Sequence, residues 1–218
     1  MKLIVFDVDG TLVDSQHVIC AAMDDGFAAA GLPGPERASV LSIVGLSLPL
    51  AVERLAPDAS PPLHQQIAQG YRDSFMSARQ MAHPPLYDGA MDCLDRLAGR
   101  DDWLLAIATG KSRRGLDAMI EAHGLQGRFV TMQTADDHPS KPHPSMLQRI
   151  MAETGIGAAD AVMIGDTSFD IEMARTAGMA GFGVSWGYHS PAALRDAGAA
   201  LVAGDFAGLS RSIEEWAQ

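Results

Sequence analysis

The stretch FDVDGTLVDS, residues 6–15, decides how this chain is read, because it sets two carboxylates, a glycine and a hydroxyl directly after the first apolar run. That run, KLIVF at residues 2–6, is short and rich in branched side chains, which predicts a buried parallel strand. Asp7 then falls at the carboxyl end of the strand, where open α/β sheets bind their ligands. Asp7 and Asp9 are two residues apart, so in extended backbone both side chains project to one side. Gly10 lets the chain turn away with no side chain between a ligand and the backbone. An isolated Asp-Gly pair makes an ordinary solvated turn, but four specified residues in DxDGT ask for more than that.

Composition bounds the rest. The chain has 218 residues, 47% hydrophobic and 20% charged, which suits a globular protein of one or two domains. A net charge of −11 with no basic stripe excludes a nucleic-acid partner, since the overall field repels phosphate backbones. An anionic small substrate would need local cations, and a divalent metal supplies them. MKLIVFD has too few apolar residues before its Asp for a secretory leader, and no apolar run reaches the ~18 residues of a membrane span. A cytoplasmic protein, monomer or homodimer, with no membrane partner is expected. Cys20 and Cys93 are not a CxxC pair and read as buried free thiols. The seven histidines form no HxxxH or Cys/His group of the kind that binds zinc.

Beyond Ser15 the pattern turns helical for about seventy residues. Asp14 or Ser15 can cap a helix running to about residue 30 and ended by Gly31. Further helices are expected over 36–43, 48–55 and 63–81, separated by Gly45, Pro49, Pro57 and Pro61-Pro62. From Pro84 strands and helices alternate: strands at 103–108, 129–133, 161–165, 181–184 and 200–203, helices at 89–97, 112–123, 144–153, 168–177 and 191–195, and one to Trp216. Such repetition predicts an α/β core, a parallel sheet with helices on both faces. The helical block interrupts it as an inserted cap, giving a core of 1–14 and 84–218 and a cap of 15–83.

DxDGT resembles the nucleophile motif of the haloacid dehalogenase (HAD) superfamily, and three later stretches bear on that resemblance. Thr109 and Gly110 close a strand ending IAT, where a hydroxyl and free N–H groups can hold phosphate oxygens at a helix start. Gly110-Lys111-Ser112 is no P-loop, because Leu105 stands where the pattern needs glycine. In SKPHPSML, Lys141 precedes Pro142 and Pro144 and so sits at the mouth of the helix that Pro144 can start. KPHP with a following helix is similar to the superfamily's lysine motif. In MIGDTSFDIEMA, Asp166 follows a strand and Asp170 lies one helical turn on, so both can face one pocket. GDxxxD after an apolar strand resembles the form that completes the superfamily's magnesium site.

The four motifs stand in the superfamily's order over nearly the whole chain, and the helical insertion looks like the α-helical cap of the subfamily that includes phosphoglycolate phosphatases. GVSWGYHS, residues 183–190, is similar to the stretch following the last motif there. Thr109-Gly110-Lys111 departs from the Thr-Asn-Lys associated with many of those enzymes. The resemblance implies a Rossmann-like HAD core and Mg2+-dependent hydrolysis of a small phosphorylated metabolite. It implies Asp7 as nucleophile, Asp9 as acid and base, and Thr109, Gly110 and Lys141 as binders of the phosphoryl group. The metal ligands it implies are Asp7, the Asp9 carbonyl, Asp166 and Asp170. Asp9 argues against a metal-free dehalogenase, which lacks the second aspartate. A phosphomutase and a non-catalytic binder on the same scaffold remain the alternatives. The loop around Gly45 and Leu46 is expected to set specificity, with Arg37, Arg54 and Arg72 as the cap's candidate cations.

Overall fold

In a computed structural model, which describes residues 1–81 and 83–218, the core is one six-stranded parallel sheet. Its strands are β1 (Lys2–Phe6), β2 (Trp103–Thr109), β3 (Thr131–Thr134), β4 (Ala161–Gly165), β5 (Ala180–Val184) and β6 (Leu201–Ala203), in the order β3-β2-β1-β4-β5-β6. The chain builds outward from β1 to β3, then returns to β4 on the other side. The sheet order therefore reverses between β1 and β4, and a crevice opens there at the carboxyl ends of the strands.

Alternation along β1 explains why both faces are covered. Ile4 and Phe6 join Leu105 and Ile107 of β2 and Val162 and Ile164 of β4 on one face. That face is closed by α5 (Ala90–Ala98), α6 (Arg113–Ala122) and α10 (Phe206–Trp216) through Leu94, Leu97, Leu116, Leu209 and Ile213. Leu3, Val5, Ala106 and Met163 face the other way, onto Met146, Leu147 and Ile150 of α7 (Ser145–Thr154) and Met173 of α8 (Ser168–Thr176). Each strand face is thus half of a two-sided core. Next to α8, Leu194 and Ala197 of α9 (Pro191–Ala197) pack on Ile171.

Four helices, α1 (Gln16–Ala29), α2 (Arg37–Ser42), α3 (Leu48–Leu55) and α4 (Pro61–Met81), build a separate cluster from Ile19, Met23, Phe27, Val40, Val52 and Ile67. The chain passes from the core into these helices and back through two segments that run side by side. Asp14 N–H donates to the Pro85 carbonyl and Tyr87 N–H to the Leu12 carbonyl, both at 2.9 Å. Ala82, near the expected end of the insertion, lies outside the described residues.

Local differences from the expected elements have simple causes. Pro61 and Pro62, read as separators, form the first turn of α4, where a missing N–H costs nothing. The third strand begins at Thr131 rather than Phe129, because Phe129 turns its ring into the core beneath the sheet. Cys20 and Cys93 are both free and buried, as expected. No helix among the described residues is long and apolar enough to cross a membrane.

Candidate active site

The crevice gathers every candidate residue except those of the cap. Asp7 leaves the end of β1, Thr109 ends β2, Asp166 follows β4, Asp170 lies in the first turn of α8, and Lys141 precedes α7. All five side chains are buried. Oxygens of Asp7, Asp166 and Asp170 lie within 4.8 Å of one another. The Lys141 ammonium is 2.8 Å from Asp7 Oδ1 and 2.6 Å from Asp170 Oδ1. The contact with Asp170 is a hydrogen bond; the one with Asp7 is an ion pair off the hydrogen-bonding direction, and Asp7 Oδ2 has no partner among the described residues.

Three buried carboxylates against one ammonium leave an excess of negative charge, and the titration of the cluster reflects it. Burial pushes Asp7 up to about 7; Lys141 opposes this, and the charge of Asp170 adds to it. Asp166 is raised as well, by burial first and then by Asp170 and Asp7. For Lys141, burial works against the ammonium, but Asp170 and Asp7 outweigh it and hold the group more basic than usual. In the protein's own field Asp7 thus holds its proton more tightly than a free carboxyl, and a further cation would favour its ionised form. Hard, oxygen-rich and short of positive charge, the cluster fits a divalent ion such as Mg2+.

Asp170 serves the helix and the pocket with different oxygens. Its Oδ2 accepts from Thr167 N–H at 3.1 Å and Thr167 Oγ1 at 2.7 Å, completing a capping box, while Oδ1 faces Lys141. Asp166 is oriented by Thr11, whose hydroxyl donates to Oδ1 at 2.8 Å, and by Tyr188 N–H, which donates to Oδ2 at 2.9 Å. The glycine of DxDGT is required here. Gly10 has φ +85°, and a Cβ on it would lie 2.2 Å from Asp166 Oδ2.

Asp9 stands apart from the carboxylate cluster, on the side facing the cap helices. Lys111 Nζ lies 2.7 Å from its Oδ2, and Ser15 Oγ donates to Oδ1 at 2.6 Å. With the Ser15 proton committed to Asp9, Tyr188 Oη donates to Ser15 Oγ at 3.1 Å. Ser15 occupies the N-cap position of α1 but makes no capping hydrogen bond, so its expected role as a cap is replaced by one at Asp9. Neither Lys111 nor Ser15 is marked as a site residue by its local sequence. Their partners are 102 and 6 residues away in a geometry that only the folded sheet sets, and DxDGT followed by Ser was the one available signal.

Above Asp7 and Asp9 opens a cavity of about 480 Å³, floored by Thr109, Gly110 and Lys111 and walled by α1, α4 and the loop 43–47. Thr109 Oγ1 accepts from Lys111 N–H at 3.2 Å, which leaves its own proton for a ligand. A Cβ on Gly110 would fall 2.5 Å from the Gly45 carbonyl oxygen, so the cap loop and the core touch backbone to backbone. Ser47 N–H donates to Ser140 Oγ at 2.8 Å. His189 accepts from Ser168 N–H at Nδ1, leaving Nε2–H for the Ser42 carbonyl at 3.2 Å. Of the cap cations, Arg72 lines the cavity, Arg37 donates to Gln16, and Arg54 lies over the Phe169 ring.

Fold and site together are those of an enzyme, and its class is hydrolase. The chain belongs to the haloacid dehalogenase-like hydrolase family, whose model matches residues 4–184. A probable phosphatase IndB from Dickeya dadantii is 34% identical over 201 residues, 89% of this chain and 86% of the relative. A phosphoglycolate phosphatase from Vibrio vulnificus is 30% identical over 198 residues, 87% of this chain and 86% of its own. Among solved structures, a hydrolase from Pseudomonas syringae superposes with TM-score 0.89 at 22% identity, covering 100% of both chains. A putative beta-phosphoglucomutase from Bacteroides vulgatus reaches 0.84 at 20% identity, covering 99% of this chain and 88% of its own. Those two likenesses are of fold.

Proposed function

We propose that this chain is a Mg2+-dependent phosphatase that hydrolyses a small phosphate monoester through an aspartyl phosphate on Asp7. The observation that carries the reading is Asp7 itself, a buried carboxylate at the cavity floor with one oxygen unpartnered and the other against Lys141. Residues 1–14 and 84–218 form the catalytic core in this reading, and 15–83 the cap that encloses the substrate. Asp7, the Asp9 carbonyl, Asp166 and Asp170 would hold the Mg2+. When bound, the ion neutralises phosphoryl charge and shields Asp7 from the anionic substrate.

Each remaining step belongs to the protein's own groups. Asp7 attacks phosphorus in line, forming one P–O bond as the ester P–O bond breaks. Asp9 donates its proton to the departing alkoxide and then takes one from the water that hydrolyses the aspartyl phosphate. Lys141, fixed by Asp170, balances charge on the transferring group, while the Thr109 hydroxyl and the Gly110 N–H bind its equatorial oxygens. Ser15 and Lys111 hold the Asp9 carboxylate away from the metal cluster, on the leaving-group side.

Phosphate release from p-nitrophenyl phosphate, with Mg2+ and with excess chelator, tests the reading. Equal rates in both, or none in either, would overturn it. A hexose phosphate interconversion assay is expected to be blank, and turnover there would make the chain a mutase. The relatives' names make 2-phosphoglycolate the first natural ester to assay.

A further inference from the structure

The cavity over Asp7 is larger and more apolar than a phosphoryl group or a two-carbon leaving group requires. Its volume of about 480 Å³ falls within the ~300–1,000 Å³ of pockets that enclose drug-sized ligands. The phosphoryl group uses only the floor. The walls on the Asp9 side come from Ile19 and Met23 of α1, Val44 of the cap loop, and Tyr71, Phe75 and Met76 of α4. Tyr71 and Phe75, one helical turn apart, stack with ring centroids 5.7 Å apart and planes 22° from parallel. Lys111 links this wall to the chemistry, since its Nζ lies 2.7 Å from Asp9 and 5.0 Å over the Phe75 ring. A leaving group whose oxygen faces Asp9 therefore extends along the aromatic pair. Of three cations that line the cavity, Arg72, Lys111 and Arg114, Lys111 faces the Asp9 carboxylate beside that path.

Building on the phosphatase reading above, we propose that the substrate is the phosphomonoester of an alcohol with an apolar, ring-sized body that seats against Tyr71 and Phe75. Such a body gains free energy by leaving water for apolar walls. The thioethers of Met23 and Met76 adapt to its outline and favour contact with a ring. A glycolate-sized leaving group leaves most of the chamber to water and gains none of this.

The test is a series of unactivated esters whose alcohols differ little in acidity: ethyl, butyl, cyclohexylmethyl and 2-phenylethyl phosphate, with 2-phosphoglycolate beside them, at saturating Mg2+. The kcat/KM of the 2-phenylethyl ester is expected to exceed those of ethyl phosphate and 2-phosphoglycolate by at least about tenfold, the discrimination that one well-seated methylene gives in an apolar pocket. Phe75→Ala is expected to erase most of that ratio while keeping the circular dichroism spectrum and the Mg2+-induced thermal shift. If Phe75→Ala does not fold, Met76→Trp, at a half-buried position of the same wall, narrows the chamber and is expected to lower the same ratio. A flat series, preference for 2-phosphoglycolate, or an unchanged ratio in the folded variant overturns the inference and leaves the phosphatase reading standing. No phosphate release from any ester removes both.

Discussion

Replacing Lys141 with methionine removes a buried charge and keeps the volume of its stem. In the wild type the ammonium lies 2.8 Å from Asp7 and 2.6 Å from Asp170, and none of the three side chains is more than 2% exposed. Removing one partner from such a cluster leaves uncompensated carboxylates and costs about 3–5 kcal/mol. Against a total stability of about 5–15 kcal/mol this is a large share, and it lowers the urea midpoint by at least about 1 M. The loss depends on pH in a definite direction. Asp7 is raised to about 7 and Asp166 is raised too, so folding takes up protons. Their contribution is present in full below the unfolded values and fades as pH rises through the folded ones, so the metal-free wild type weakens between about pH 4 and pH 7. Without Lys141, Asp7 loses its counter-charge and this weakening steepens. Urea unfolding in chelator should show a smaller Lys141→Met penalty at about pH 5.5, where Asp7 holds its proton, than at about pH 8, where it does not. An unchanged midpoint at the higher pH, or a larger loss at the lower one, would refute the reasoning.

Mg2+ at a hundred times its dissociation constant stabilises a specific site by about 2.7 kcal/mol, or roughly 5–10 °C in a chain of this size. Asp166→Asn should lose most of that rise while weakening the metal-free fold far less, by the loss of an acceptor to one of the Thr11 and Tyr188 donors; an intact rise would remove Asp166 from the ligand set. Asp9→Asn should keep the thermal response to Mg2+ yet slow each proton transfer by about 10²- to 10⁴-fold. With p-nitrophenyl phosphate, whose leaving group needs no proton, that variant should accumulate phosphate on Asp7, and rapid-quench mass spectrometry showing label elsewhere, or none, would contradict the roles. Exchanging residues 44–47 for another sequence should reorder the ester preferences, and an unchanged profile would mean that the loop does not choose substrates.

What the sequence made legible was whatever sits at the end of an apolar strand. Asp7, Thr109 and Asp166 follow runs whose composition marks them as buried strands, while the order of those strands in space comes from the fold. Lys141 and Asp170 were legible through local spacing, before a helix-starting proline and one turn into a helix. Lys111 and Ser15 were not, because a serine at a helix start and a lysine in a loop have ordinary local roles. The pairing of β2 with β1 brings Lys111 beside Asp9, and the turn after β1 returns Ser15 to it. The raised pKa of Asp7 was also out of reach, since it depends on complete burial and then on the opposed charges of Lys141 and Asp170, which are distant in the chain. Proline misled at α4, where two residues that interrupt helices elsewhere begin one.

The contact between Gly110 and the Gly45 carbonyl bears on how this chain can diverge. Any side chain at residue 110 would have its first carbon 2.5 Å from that oxygen, and Ser47, two residues beyond Gly45, is pinned to the core by Ser140. An asparagine at 110, as in the Thr-Asn-Lys form, thus displaces the loop that borders the substrate chamber. The close approach is to the backbone of residues 45 and 46, so the path of the loop and the residue at 110 constrain each other. Substitutions on the two sides of this seam are therefore strongly non-additive.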